Sequence, residues 1–237
     1  MLKDHLPDQP GEPFQLPQSW IAQLTASAQA GARAGLVAPA PFGGSARRFI
    51  DWTVRTFPGI DMSITAQELQ YMRQLAQNRT PSLTQTANWF AGDGDKQIWD
   101  RELARWQKSV GPRQAAWGAK LLNTALLVNK EISDASKKRF GRPRPYEADP
   151  SLTLAVPQPG KGSASYPSGH AARAFMEASI LSQLMPERRD EFMKVAQQMA
   201  MSRVYGGVHY PSDTVGGAYE GALVASWLFK NMPRPVG

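Results

Sequence analysis

His209 stands six residues after Arg203 and four before Asp213, in the segment SRVYGGVHYPSD. It is one of three histidines in the chain. An aspartate at the start of the following helix can accept a hydrogen bond from one imidazole nitrogen. That fixes the ring's tautomer and leaves the other nitrogen as a directed base or nucleophile. Arg203 extends an apolar stripe made by Phe192, Val195, Ala196 and Met199. A cation on the core face of a helix is too costly to leave unpaired, so Arg203 requires a carboxylate or a bound anion. The competing reading is a salt-bridged corner between two helices.

Two further polar clusters also fall at expected helix ends. KKRFGRPRP, Lys137 to Pro145, carries five basic residues in nine, including Lys137, Arg142 and Arg144. Arginine offers a planar fork that matches phosphate oxygens, and lysine a compact point charge. Alone, the segment reads more readily as a solvated basic turn closing a helix. SYPSGH, Ser165 to His170, precedes another helix: Ser168 is an N-cap candidate, and Gly169 lets backbone approach a ligand. His170 shares a face with Ala174, Leu181 and Leu184, so a half-buried histidine in a capped helix is the alternative. Taken together, the clusters supply cationic and N–H donors for a phosphate-sized oxyanion. They also supply two histidines for a displacement that needs a nucleophile and a proton donor. The absence of cysteine excludes disulfides, thiolate catalysis and Cys-ligated metals. No acidic cluster points to Mg²⁺ or Ca²⁺, and two histidines alone make a poor zinc site.

The elements that must position these groups read as helices. The 237 residues are 42% hydrophobic and 20% charged, with a formal net charge of +7, which fits a globular chain with an anionic partner. Residues 1–60 are rich in Pro and Gly and read as an irregular arm with short helical pieces such as Trp20–Ala30. Residues 61–237 read as the catalytic domain. SITAQELQYMRQLAQ begins with a Ser or Thr cap followed by Glu68, and Thr80-Pro81 reads as a cap and first helical residue. From Gln114 to Lys138, Trp117, Leu121, Ala125, Val128, Ile132 and Ala135 form one stripe at helical spacing. Helices are also expected over His170–Met185, Pro186–Val204 and Asp213–Lys230, with long loops near Gly141–Gly169 and Gly206–Ser212. The fold expected is a single all-α helical bundle. No apolar run approaches the length of a membrane span; Leu121–Val128 is the longest candidate. The N-terminal MLKDHLPDQPGEP has no apolar signal core.

The three clusters resemble the signature of the PAP2 superfamily, which joins bacterial non-specific acid phosphatases, lipid phosphatases and vanadium-dependent haloperoxidases. Its pattern is K-x6-RP, then PSGH, then SR-x5-H-x3-D. Here it runs from Lys137 to Arg144-Pro145, through Pro167-Ser168-Gly169-His170, and from Ser202-Arg203 to His209 and Asp213. The fixed residues of the third motif alone would arise by chance in roughly one chain in a thousand of this length. The resemblance implies a helical bundle that hydrolyses phosphate monoesters without a metal cofactor, through a phosphohistidine. It makes His209 the nucleophile, Asp213 its orienting partner and His170 the acid–base group. Lys137, Arg144, Ser168, Gly169 and Arg203 would hold the phosphoryl oxygens. The bacterial class A acid phosphatases are the subgroup it resembles most, which implies a small phosphorylated substrate or inorganic phosphate, no nucleic-acid partner, and a periplasmic or secreted, soluble enzyme. A cytoplasmic location and the oligomeric state stay open. The alternative within the family is a vanadium-dependent haloperoxidase, in which the same cage holds vanadate; outside it, a non-catalytic basic module for nucleic acid or anionic lipid. His209, read as a loop residue with little core area, is expected to be replaceable by alanine without loss of the fold.

Overall fold

The structure is a computed structural model. It describes residues 14–41, 43–160 and 162–235. The reading of residues 1–13 as the beginning of an irregular arm lies outside these. The helices in chain order are α1 (Gln18–Val37), α2 (Arg47–Thr56), α3 (Thr65–Gln77), α4 (Pro81–Ala91), α5 (Gly94–Lys108), α6 (Pro112–Phe140), α7 (Pro145–Ala148), α8 (Gly169–Leu184), α9 (Arg189–Tyr205) and α10 (Pro211–Asn231). The fold is all-α, as its periodicity indicates. No helix among the described residues is long and apolar enough to cross a membrane.

Local chemistry sets the helix ends. The Thr80 hydroxyl accepts from Leu83 N–H at the start of α4, with Pro81 at the first helical position. Helix α6 buries Leu121, Ala125, Val128 and Ile132, the middle of its predicted stripe, and ends where Gly141 turns left-handed at φ 59°. Its last turn holds Lys137, Lys138 and Arg139, where cations oppose the exposed carbonyl dipoles. The cap expected for α3 is not the one found. Asp61 accepts from Ser63 N–H in a short 3₁₀ turn, α3 then begins without a side-chain cap, and Glu68 points inward, 7% exposed.

Helix α10 is the centre of the bundle, packed against α1, α8 and α6. Glycines allow two of those approaches. A Cβ on Gly31 or Gly35 of α1 would lie 2.0 Å from the Tyr219 carbonyl oxygen or 2.4 Å from that of Leu223. On the opposite side, a Cβ at Gly221 would lie 2.2 Å from Ala172 O, and one at Gly217 2.6 Å from Ser168 O. Backbone thus packs on backbone across both contacts. The helical piece expected at Trp20–Ala30 is longer than that: Gly31 and Gly35 are contact residues of a continuous 20-residue helix. Helix α2 adds an anchor: Phe49 stacks on Trp227 of α10 with centroids 4.1 Å apart and planes 5° from parallel, worth about 0.5–1.5 kcal/mol beyond area burial.

Backbone contact of this kind cannot absorb a side chain. Gly221→Leu is expected to destabilise the fold by at least about 2 kcal/mol, read as a lower urea midpoint at unchanged m-value. Gly160→Ala, whose Cβ meets nothing within 4 Å, should stay within about 0.5 kcal/mol of the parent.

Candidate active site

The end of α6, the start of α8, the end of α9 and the start of α10 meet, and the three charged clusters meet with them. Helix α9 ends at Gly206-Gly207. A Cβ on Gly206 would meet Ser202 O at 2.5 Å, and Gly207 has φ +86°, a conformation glycine alone adopts readily. The chain then doubles back, so that the N–H groups of Val208 and His209 both donate to Arg203 O at 3.2 Å. Arg79 donates to Tyr205 O at 2.8 Å and steadies the same helix end. The loop therefore ties His209 to Arg203 through backbone.

Pro211 opens α10, and Asp213 lies in its first turn, where the helix dipole favours negative charge. The Asp213 side chain is fully buried. Its Oδ2 accepts from Tyr210 N–H at 2.9 Å, from the Ser165 hydroxyl and from His209 Nδ1 at 3.2 Å. Its Oδ1 accepts from Arg142 Nη1 at 2.7 Å. Since the carboxylate is an acceptor, Nδ1 carries the proton and Nε2 presents a lone pair. Arg144 Nη1 points at that Nε2 from 2.9 Å. The rest of the Arg144 fork donates to Ser163 O, the Ser163 hydroxyl and Val208 O, all within 3.0 Å.

Arg203 differs from Arg144. It is 4% exposed, and its Nε and Nη1 are buried with no hydrogen-bond partner among the described residues. Of the two partners its position demands, no carboxylate among the described residues bonds to these atoms. Unpaired buried N–H groups of this kind are suited to meeting an anion. At the start of α8, the Ser168 hydroxyl accepts from Ala171 N–H at 3.4 Å, and Ser168 N–H donates to Asp213 O at 2.9 Å. Gly169 opens the helix, and its first amides have no intrahelical partner by construction. The Tyr166–Pro167 peptide ahead of them is cis. Lys137 reaches this loop from α6 and donates to Ala164 O at 2.8 Å and Pro167 O at 2.7 Å.

The charges define the chemistry. Burial, then Arg144, Lys137, Arg203 and His170, hold His209 well below the ordinary imidazole range, so its ring is neutral. His170 is lowered too, by desolvation against the site wall and then by Arg203, Arg173, Arg144 and Lys137. Its ring is nevertheless solvent-exposed rather than half-buried, so water screens part of that field. Burial, then Arg144, pushes Lys137 down to about 8. The arrangement is a neutral, oriented imidazole beside unpaired guanidinium donors, with a second imidazole at the water-facing side.

Every residue of the three motifs falls in this region. One expectation needs correction. His209 lies in the expected loop but is deeply buried there: it is 3% exposed and linked to Asp213 and Arg144. Arg142, outside the minimal motif, turns the two Nη groups of its guanidinium to Asp213 and to Glu68. Sequence reasoning also passed over Ser163 and Ser165, ordinary loop serines whose only local signal is their place just before PSGH.

Comparison with known proteins agrees with this geometry. The PAP2 superfamily model matches residues 118–236, half of the chain and all of the charged clusters. The chain is 32% identical over 117 residues to a non-specific acid phosphatase of Salmonella typhi, covering 48% of this chain and 47% of that protein. It is 35% identical over 96 residues to one from Providencia stuartii, covering 37% and 39%. To a lipid A 1-phosphatase of Rhizobium etli it is 30% identical over 104 residues, covering 43% and 45%. The chain thus spans about half the length of the curated relatives it matches. A transmembrane PAP2-type phosphatidylglycerolphosphate phosphatase from Bacillus subtilis shares the fold: TM-score 0.55 at 18% identity, over 76% of this chain and 90% of that one. On the family match and the motif geometry together, the chain belongs to the PAP2 superfamily.

Proposed function

We propose that the protein hydrolyses phosphate monoesters through a phosphohistidine on His209, with no metal cofactor. The observation that carries this reading is Arg203, a buried guanidinium with two unpartnered N–H groups beside a neutral histidine. The phosphoryl oxygens take hydrogen bonds from Arg203, from Arg144 and from the first amides of α8, with the charge of Lys137 behind them. As Arg144 turns its N–H from Nε2 to a phosphoryl oxygen, the His209 lone pair is freed. Nε2 attacks phosphorus, the bond to the leaving oxygen breaks, and His170 gives that oxygen a proton. The imidazole becomes cationic and Asp213 stabilises it. Water then attacks phosphorus, His170 takes its proton, the P–N bond breaks and phosphate leaves. The protein's contribution is positioning and charge stabilisation.

The bound dianion matters to His170. The same cations that lower its proton affinity are offset when a phosphate sits among them, so substrate binding raises it toward an acid's working range. The similarity to acid phosphatases favours a small soluble ester and a periplasmic or secreted enzyme, and that to lipid A 1-phosphatases favours a phosphorylated glycolipid. Breadth across both belongs to this proposal.

The direct test is turnover of p-nitrophenyl phosphate beside a second assay with vanadate, peroxide and bromide. Phosphate release in the first is expected; turnover in the second alone would replace this reading with the haloperoxidase. His209→Asn keeps an N–H donor for Asp213 and removes the nucleophile. It should fold as the parent does and lose at least about 10⁴-fold in kcat. His170→Ala should slow an alkyl phosphate far more than a p-nitrophenyl one, because a poor leaving group needs the proton; equal losses would remove His170 from the acid role. Lys137 sets a pH limit. Its proton is needed for anion binding and leaves above about 8, so the inhibition constant of orthophosphate should weaken about tenfold per pH unit beyond that point. Lys137→Met should abolish the break while weakening binding below it.

A further inference from the structure

Arg142 and Glu68 have no place in the steps above, yet they form an enclosed ion pair beside the site, with side chains 1% and 8% exposed. Arg142 Nη1 donates to Asp213 Oδ1 and to the Ser212 hydroxyl, both at 2.7 Å. Its Nη2 donates to Glu68 Oε2 at 2.7 Å and to the Thr65 hydroxyl at 3.3 Å. The guanidinium lies flat on Tyr210, 3.8 Å from the ring centroid. Glu68 also accepts the Ser212 N–H at 2.7 Å and the Ser212 hydroxyl at 3.0 Å. A carboxylate from α3 therefore caps the start of α10 in trans, one residue before Asp213.

We propose that Glu68 and Arg142 are positioning residues that set the plane and the effective charge of Asp213, and through it the reactivity of His209. The inference rests on the reading of His209 as the nucleophile. Two physical needs point to it. Asp213 must hold one oxygen toward Nδ1, and a second, rigid donor on its other oxygen prevents rotation of the carboxylate. Arginine supplies that donor but also a positive charge, which alone would cancel the charge of Asp213. Glu68 restores it: two carboxylates around one guanidinium leave a net negative unit facing the imidazole. That unit has most effect when His209 turns cationic, after substrate has bound. Helix α3 precedes residues 118–236, the stretch that matches the family model.

The test uses the whole chain with Glu68→Gln, which keeps an oxygen for the Ser212 N–H and removes the charge. Its kcat on p-nitrophenyl phosphate should fall about tenfold, with KM within about twofold. In an Asp213→Asn background the same substitution should cost nothing further, because both act on one group. An additive loss would overturn the proposal. A second readout needs no turnover: the proton NMR signal of the His209 Nδ1–H, identified by its disappearance in His209→Asn. It should move in Glu68→Gln and stay in place in Lys130→Met, a surface control. An unmoved signal overturns the positioning role even if the variant is slow. If the parent protein releases no phosphate, the phosphatase reading fails, and the NMR signal alone decides this inference. Should Glu68→Gln fail to fold, Ser212→Ala removes the hydroxyl that Glu68 and Arg142 share, with a smaller loss of kcat and the same signal as its measure.

Discussion

The constraint on which the rest depends is the burial of the Asp213 carboxylate. Placing a carboxylate out of water is expensive unless its lone pairs are met. Meeting them here draws in three separate loops. The imidazole and the Tyr210 amide come from the loop between α9 and α10, the hydroxyl of Ser165 from the loop before α8, and the guanidinium from the loop after α6. The carbonyl of Asp213 accepts the Ser168 amide, which fixes the start of α8 against the start of α10. The site is assembled because satisfying this one acid requires these ends to converge.

The opposite charge is left deliberately unbalanced. Lys137, Arg144 and Arg203 crowd two histidines whose proton affinity is lowered first by desolvation and then by these cations. In a protein selected for stability alone, Arg203 would have a carboxylate on its buried nitrogens. Its orphaned donors represent stability given up, and in the proposed reaction they meet a doubly charged ligand with groups already in place. The glycine-mediated packing around α10 and the aromatic contact of Phe49 with Trp227 carry that cost at a distance from the site.

Much of the site was legible because its chemistry is local in sequence. The spacing of Arg203, His209 and Asp213, the cap at Ser168 and the basic end of α6 are short-range patterns, and each maps to a helix end. What escaped was long-range. Glu68 bonds to Ser212, 144 residues away, and nothing near Glu68 distinguishes it from a surface glutamate early in a helix. The continuation of α1 beyond Ala30, through Gly31 and Gly35, escaped because the partner that these glycines meet, α10, lies far along the chain. The depth of His209 was underestimated for the same reason: a loop position says nothing of what folds over it.

The glycine contacts of α10 bear on how such a protein can vary. A helix that touches one neighbour through that neighbour's missing side chains, and another through its own, has almost no freedom to slide or roll. The geometry at its first turn is then inherited from positions along its length that touch no ligand. Divergence in substrate would be expected to accumulate in the loops and in α4 and α5, while the glycine-lined axis stays as it is. Those small residues act as a gauge block, setting the distance at which the reacting groups face one another.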